Sequence, residues 1–455
     1  MYDLLIKNGI VIDFHNNRRI LADVGVKDGK IIDVGSCTES SKKVIDAEGL
    51  VVSPGFIDIH MHEEQLGYNS QGDDYDIANY MLRMGVTTGL GGNCGINGQD
   101  VDDFFNFIDE NGAPINYLLL TGHNYIRSKL NMNLHMAASD FEIDKMKQMI
   151  KSDIELYGAV GISFGIEYSP GISFDEVVKI SEGLGDGIIL SGHYRKDSDN
   201  ALESIKELVD ISKATNLPMQ ISHIGSCSAF GHMDESLKYM EKAIEEGADI
   251  TADSYPYDSF STFIGSEALN EDYFQRYNKS YDSILLTEAP YKGVYCDEEL
   301  YNKVRKEYPN MLAAAFVMNE DEIIEAYKKP FTLVASDGLL NDGQGHPRAA
   351  GTFPRILGKF VREDKELDLM DVLKKMTLLP AERLGLKNKG DIQSGMDADI
   401  TIFNPNTVID NATFQEPTKA PTGIEYVIID GKIALEKGKM INKRLGKAIK
   451  LGQRD

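Results

Sequence analysis

Apolar residues along this chain recur in short runs. From residue 53 onward eight runs stand out, at 56–60, 87–93, 116–123, 159–164, 187–193, 218–223, 249–256 and 332–337. Between them lie stretches in which apolar positions return every three or four residues, as at 75–84, 140–157, 200–215 and 233–246. The short unbroken runs predict strands buried on both faces, and the three-to-four spacing predicts amphipathic helices packed on them. Such alternation implies parallel strands joined by right-handed crossovers, and eight is the number that closes a (β/α)8 barrel. An open doubly wound sheet is the alternative architecture.

The two ends of the chain read differently. Residues 1–52 carry short β segments at 4–6, 10–13, 22–26, 30–34, 43–45 and 49–52, with turn signals at Lys7-Asn8-Gly9 and Lys27-Asp28-Gly29. After helices expected over 353–362 and 371–376, β segments return at 399–403, 426–429 and 432–434, with Asp430-Gly431 as a hairpin turn. The simplest arrangement pairs both ends into one small β-sandwich domain, 1–52 with 391–455, flanking a barrel over 53–390. One connection is too long for a single helix. Residues 258–331, before the eighth run, hold polar, Tyr-rich stretches at 270–281 and 297–308. An insertion there sits over the C-terminal face of a barrel and is expected to act as a lid or pocket wall.

Composition narrows the partners. The chain has 455 residues, 42% hydrophobic and 26% charged, with a net charge of -25. Such an acidic protein is poorly suited to nucleic acid or to an anionic membrane surface, so the expected partner is a small molecule. Self-association is left open. The four cysteines show no CxxC pairing, which fits a reducing compartment. No secretory signal pattern and no long apolar run is seen, so a cytoplasmic location is expected.

Metal-capable side chains gather at the ends of the runs. His60 and His62 close the first and share one face of a strand. Cys94 follows the second, in Gly92-Asn93-Cys94-Gly95; His193 ends the fifth, His223 the sixth and Asp337 the eighth. In a parallel barrel these ends form one rim, so six candidate ligands converge on one cavity, with imidazole and thiolate donors that suit zinc. His123, at the end of the third run, is a further candidate for the cavity mouth.

The segment Pro54-Gly55-Phe56-Ile57-Asp58-Ile59-His60-Met61-His62 resembles the metal motif of the amidohydrolase superfamily. Gly92-Asn93-Cys94-Gly95 is more specific: it resembles the D-aminoacylase (N-acyl-D-amino-acid deacylase) family, in which a cysteine takes the bridging place that a carboxylated lysine holds in hydantoinases. Ser163–Gly171, Asp253–Tyr257 and His346-Pro347-Arg348 extend the likeness over nearly the whole chain. The resemblance implies a zinc enzyme cleaving the linear amide of N-acyl-D-amino acids. It implies one tight zinc ion on Cys94, His193 and His223, a second, weaker one on His60, His62 and Cys94 as an open question, Asp337 as catalytic base, and Arg348, Tyr257 and Tyr168 on the substrate. Three departures stand out. Gly225 lies where the family carries a lysine two residues after the sixth-strand histidine. Tyr194-Arg195-Lys196-Asp197 follows His193 where Met-Arg-Asp-Glu is expected. Glu63 and Glu64 follow the HxH where an aspartate is usual. A cyclic-amide hydrolase or another C–N hydrolase of the superfamily is the alternative function, and a catalytically dead binding barrel is a third.

Overall fold

A computed structural model describes residues 1–68 and 74–454. Each of the eight apolar runs contains a strand: Phe56–Asp58, Val86–Gly91, Asn116–Leu119 with Thr121–Gly122, Gly161–Gly165, Ile189–His193, Met219–Ile221, Ile250–Ser254 and Thr332–Val334. All neighbouring pairs in this series are parallel. The third run is broken at Leu120. Its first half pairs with the second strand and its second half with the fourth, so the eight runs fall into sheets of three and six strands. No continuous ladder joins the eighth strand to the first. An isolated parallel bridge between Met61 and Gly338 stands there, with Asp337 N donating to His60 O at 2.8 Å and His62 N to Gly338 O at 3.1 Å. The arrangement is that of the expected α/β barrel.

Helices cover the outside. Ile77–Arg83, Asp140–Ser152, Ala201–Thr215 and Met233–Glu245 lie within the predicted stretches. Asp140–Ser152 opens on a capping box: Glu142 N donates to the Ser139 hydroxyl, and Glu142 receives the Ser139 N–H at 2.8 Å. Two expectations are corrected near the end of the barrel. The helix expected from 353 begins earlier, at Arg348–Arg355, and runs on as a π-turn over Ile356–Glu363, which puts Arg348 in its first turn. The helix expected over 371–376 begins two residues earlier, as Leu369–Met376, and a further short helix, Leu378–Arg383, carries Pro380 in its first turn, where a missing N–H costs little.

The chain ends meet in one nine-stranded sheet. Ile400–Phe403 pairs antiparallel with Val51–Pro54, so the C-terminal strands extend the N-terminal ones directly. Lys7-Asn8-Gly9 is not a turn. Tyr2–Asp13 is one strand with a register shift between Ile6 and Gly9, where Asn8 takes φ 59°. Lys27-Asp28-Gly29 and Asp430-Gly431 do turn, with positive φ at Asp28, Gly29, Asp430 and Gly431. The 258–331 segment builds a four-stranded antiparallel sheet in the order Phe260–Phe263, Leu312–Ala315, Ile284–Leu286, Val294–Tyr295, with helices Asp272–Arg276 and Glu298–Glu307. Among the described residues no helix is long and apolar enough to cross a membrane.

Candidate metal centre and its cavity

The candidate ligands meet at the C-terminal ends of the strands in two buried groups. His60, His62, Cys94 and Asp337 form one; Cys94, His193 and His223 form the other, and within each group the ligand atoms lie within 4.8 Å of one another. Cys94 belongs to both. Its sulfur lies 3.4 Å from His60 Nε2 and 3.5 Å from His223 Nε2.

The backbone is bent to make this possible. Cys94, His223 and Asp337 all adopt left-handed φ, at 53°, 33° and 49°, which turns each side chain off its strand end into the rim. The Cys94 turn depends on its glycines. A Cβ on Gly92 (φ 76°) would stand 2.2 Å from Leu120 O, and one on Gly95 (φ 75°) 2.0 Å from Asn124 Oδ1. Glu63 supports the same turn, accepting from Gly92 N at 2.5 Å and Gly98 N at 3.0 Å. Glu64 is half-buried beside Tyr117, whose hydroxyl donates to it at 2.8 Å, and loss of water around it pushes its carboxyl up to about 7. The two glutamates after the HxH are thus part of the scaffold around it.

Three of the four histidines have an outer partner. His60 Nδ1 lies 3.3 Å from Asp253 Oδ1, and Asp253 also accepts from Gln220 Nε2 and His223 N, both at 2.8 Å. His223 Nδ1 meets the Ser226 hydroxyl at 2.7 Å, and Tyr194 OH donates to Ser226 at 2.9 Å. His193 Nε2 lies 3.0 Å from Glu167 Oε2, which leaves a buried Nδ1 without a hydrogen-bond partner. Outer contacts of this kind fix imidazole tautomers and orient rings toward an ion.

Burial opposes charge on all these groups, yet their mutual interactions prevail. The Cys94 thiol is held well below its ordinary value because the charges of His60 and His223 outweigh burial. His62 and His193 are each raised to about 9, burial being outweighed by hydrogen bonds with Asp337 and Cys94 for His62 and with Cys94 and Glu167 for His193. A buried thiolate ringed by imidazoles, three of which (His60, His62 and His193) hold their protons more tightly than a free imidazole, is the donor chemistry that a divalent cation displaces protons from. The residues present therefore fit a zinc-type ion.

Asp337 stands between the ligands and the cavity. Its Oδ1 is 3.1 Å from His62 Nε2 and its Oδ2 2.9 Å from Arg348 Nη1. Burial favours its neutral form, but the Arg348 guanidinium, then the His62 bond, outweigh it and hold the carboxyl well below the usual range. Arg348 is 2% exposed; its Nη2 donates to Ser261 O at 3.2 Å, its guanidinium lies over the Tyr255 ring, and its Nε has no partner. His346, two residues before, accepts the Arg348 N–H at Nδ1 and so shapes the first turn of the helix.

A cavity of about 290 Å³ opens onto this centre. His62, Cys94, His223, Asp337, Arg348 and Tyr168 form its floor. Ile96, Leu134, Phe263, Pro309 and Leu339 give it apolar walls, and Glu267 and Asn310 stand among its polar groups. The 258–331 segment supplies Ser261 to Glu267 and Pro309 to this lining. An inner recess is lined by Tyr168, His193, Tyr194, Tyr255 and Arg348. Tyr168 packs on His193 with ring centroids 4.5 Å apart. Tyr257 is not among the lining residues: its hydroxyl donates to Asp410 Oδ2 at 3.2 Å, and Tyr255 faces the recess. His123 is likewise turned away, buried against Glu176 and Phe164. Gly225 is packed, not open: a Cβ there would meet Ser254 Oγ at 2.9 Å and Met318 Cε at 3.0 Å. Glu167 and Asp253, which partner His193 and His60, were not singled out by the sequence reading. Their signal was an acidic residue at, or just beyond, the C-terminal end of a mostly buried strand.

Parallel strands that carry histidines, a shared thiolate and an aspartate on their C-terminal rim, beside a β domain built from both chain ends, define a metal-dependent hydrolase of the amidohydrolase type. Residues 43–138 and 309–435 match the model of the Amidohydrolase family. The chain is 30% identical to the D-aminoacylase of Alcaligenes xylosoxydans xylosoxydans over 94% of each chain, and 28% identical to the N-acyl-D-glutamate deacylase of the same organism over 94% of this chain and 93% of that one. The crystal structure of N-acyl-D-glutamate deacylase from Bordetella bronchiseptica, complexed with zinc and a phosphonate mimic of the reaction's tetrahedral intermediate, matches with a TM-score of 0.88 at 28% identity, covering 99% of both chains. The chain therefore belongs to the amidohydrolase superfamily and, within it, to the D-aminoacylase family.

Proposed function

We propose that this protein is a zinc-dependent hydrolase that splits the linear amide of N-acyl-D-amino acids into a carboxylate and a D-amino acid. The observation that carries the reading is one buried cysteine shared by two histidine groups, with Asp337 beside it at the floor of a small cavity. Cys94, His193 and His223 hold the tighter ion, and His60, His62 and Cys94 form a second, weaker site. Bound zinc lowers the pKa of water toward about 7 and polarises the amide carbonyl.

The chain's own groups do the rest. Asp337 accepts a proton as the water oxygen adds to the carbonyl carbon, then returns it to the amide nitrogen as the C–N bond breaks, so one carboxylate is base and then acid. Arg348 keeps Nη1 on Asp337 and offers its other edge to the substrate carboxylate, for which a planar fork is suited. Tyr168 and Tyr255 bound the substrate; Tyr257, committed to Asp410, stands behind them in the mechanism. The insertion closes the water out of the cavity. Among the described residues the lining holds no arginine or lysine besides Arg348, and with its apolar walls and Glu267 this favours uncharged side chains over those of D-glutamate or D-aspartate. No lysine stands at the fourth strand end, Phe164-Gly165, to build a hydantoinase-type centre.

The test is amine release by zinc-loaded protein from N-acetyl D- and L-leucine, methionine, phenylalanine, glutamate and aspartate, with hydantoins and dihydroorotate as ring-opening controls. Release from the apolar D-substrates is expected. No release from any D-substrate, or ring opening alone, overturns the assignment.

A further inference from the structure

Arg276 closes the helix Asp272–Arg276 of the insertion and reaches down into the barrel. Its Nη1 lies 3.4 Å from Glu167 Oε1, and its Nε lies 3.3 Å from Asp197 Oδ1. Glu167 follows the fourth barrel strand and Asp197 the fifth, and both are buried, at 6% and 2% exposure. Tyr277, next in the chain, gives its hydroxyl to the other oxygen of Asp197. The second oxygen of Glu167 is the one that meets His193 Nε2, at 3.0 Å. One cation from the insertion thus stands between two buried carboxylates, and one of these orients a ring of the metal centre.

We propose that Arg276 is a positioning residue for the metal site, acting through Glu167 on His193. The proposal rests on the reading of His193 as a ligand. Without the guanidinium, two carboxylates face each other in a buried space, where like charges repel strongly. Glu167 then turns away from Asp197, and once turned it no longer accepts from His193 Nε2. The imidazole loses the contact that fixes its tautomer and keeps Nδ1 free for the ion. The insertion is on this account a part of the metal site as well as a wall of the cavity.

The experiment measures zinc affinity of the full-length protein by competition with a chromogenic chelator, without substrate. Arg276→Met is expected to weaken zinc about 10- to 100-fold, the usual effect of losing an outer-shell partner, and Arg276→Lys to restore most of it. Arg305 anchors the same insertion through Ile264 O and Leu269 O but touches neither carboxylate. Arg305→Met is therefore expected to lower the melting temperature and leave zinc affinity unchanged. Glu167→Gln combined with Arg276→Met is expected to bind zinc no more weakly than Glu167→Gln alone, because both act along one path. Wild-type zinc affinity in Arg276→Met, or full additivity in the double variant, overturns the proposal; so does equal weakening by Arg305→Met. Should Arg276→Met not fold, Arg276→Gln, which also removes the charge, takes its place in the same comparison and cycle. A protein that binds zinc as expected yet hydrolyses no N-acyl-D-amino acid refutes the proposed function alone.

Discussion

Replacing Arg348 by methionine separates two roles that one guanidinium could play. The group is buried, its Nη1 sits 2.9 Å from Asp337 Oδ2, and its plane covers the Tyr255 ring at 4.5 Å. Methionine keeps much of the stem packing and removes the charge. Breaking a buried ion pair from one side costs about 3–5 kcal/mol, because the remaining charge is left uncompensated. Asp337 retains His62 at 3.1 Å and the neighbouring imidazoles, which places the loss toward about 3 kcal/mol. The carboxyl, no longer held down by the guanidinium, moves up toward its ordinary range. A base with a raised pKa is protonated to higher pH, so the acid limb of kcat/KM shifts upward by one unit or more, each unit being about 1.4 kcal/mol. Urea unfolding of the zinc-loaded variant, with a pH–rate profile on an N-acetyl-D-amino acid, reads both effects. A raised KM with unchanged kcat, unchanged stability and an unmoved acid limb would mean that Arg348 serves the substrate carboxylate alone, and the coupling to Asp337 argued here would be wrong.

Ligand removal distinguishes the two groups around Cys94. Cys94→Ala is expected to lose zinc and activity together, while His60→Ala with His62→Ala retains one ion by elemental analysis; loss of all metal in the double variant would place the main ion on the HxH strand. Asp337→Asn is expected to keep its zinc and lose turnover, and retained turnover removes it from the mechanism. Gly225→Lys, which installs the family's lysine, drives a side chain against Ser254 and Met318; it is expected to cost about 1–3 kcal/mol by overpacking, with no gain in kcat/KM. Asp153, bonded to the Thr121 hydroxyl, is pushed up to about 6 by burial. Its folded pKa lies above its unfolded value, so the native state holds the proton more tightly and stability from this group is present below pH about 4 and lost as pH rises through 6. Asp153→Asn is expected to flatten the fall in melting temperature across that window, by up to about 3 kcal/mol; an unchanged slope refutes it.

What was legible in the sequence was what period and spacing encode. Strands buried on both faces announce themselves as apolar runs, and all eight are where the runs stand. The rim was legible because parallel strands put their last residues on one side, so His60, Cys94, His193, His223 and Asp337 could be gathered without knowing any angle. What was not legible depends on backbone conformations that residue type does not announce. Residue type only biases the backbone here, aspartate and histidine visiting positive φ more often than most residues and cysteine not, and the turns at Cys94, His223 and Asp337 exist because the surrounding contacts impose them. Flanking glycines hinted at it only at Cys94, before Gly95, and at Asp337, before Gly338. The same blindness explains Asn8, whose positive φ belongs to a bulge and not to the turn that Lys-Asn-Gly suggests.

Outer partners were hidden for a different reason. Glu167, Asp253 and Arg276 act through contacts between distant segments, and Arg276 lies 109 positions from the glutamate it meets. Tyr255 and Tyr257 illustrate the limit most plainly. Two tyrosines two residues apart in Asp253–Tyr257 share a face in an extended strand, yet Ile250–Ser254 ends before either, and in the loop beyond it one ring turns to the recess and the other to Asp410. Motif likeness carries residues to the right neighbourhood; which of two neighbours faces the recess is decided by where the strand stops.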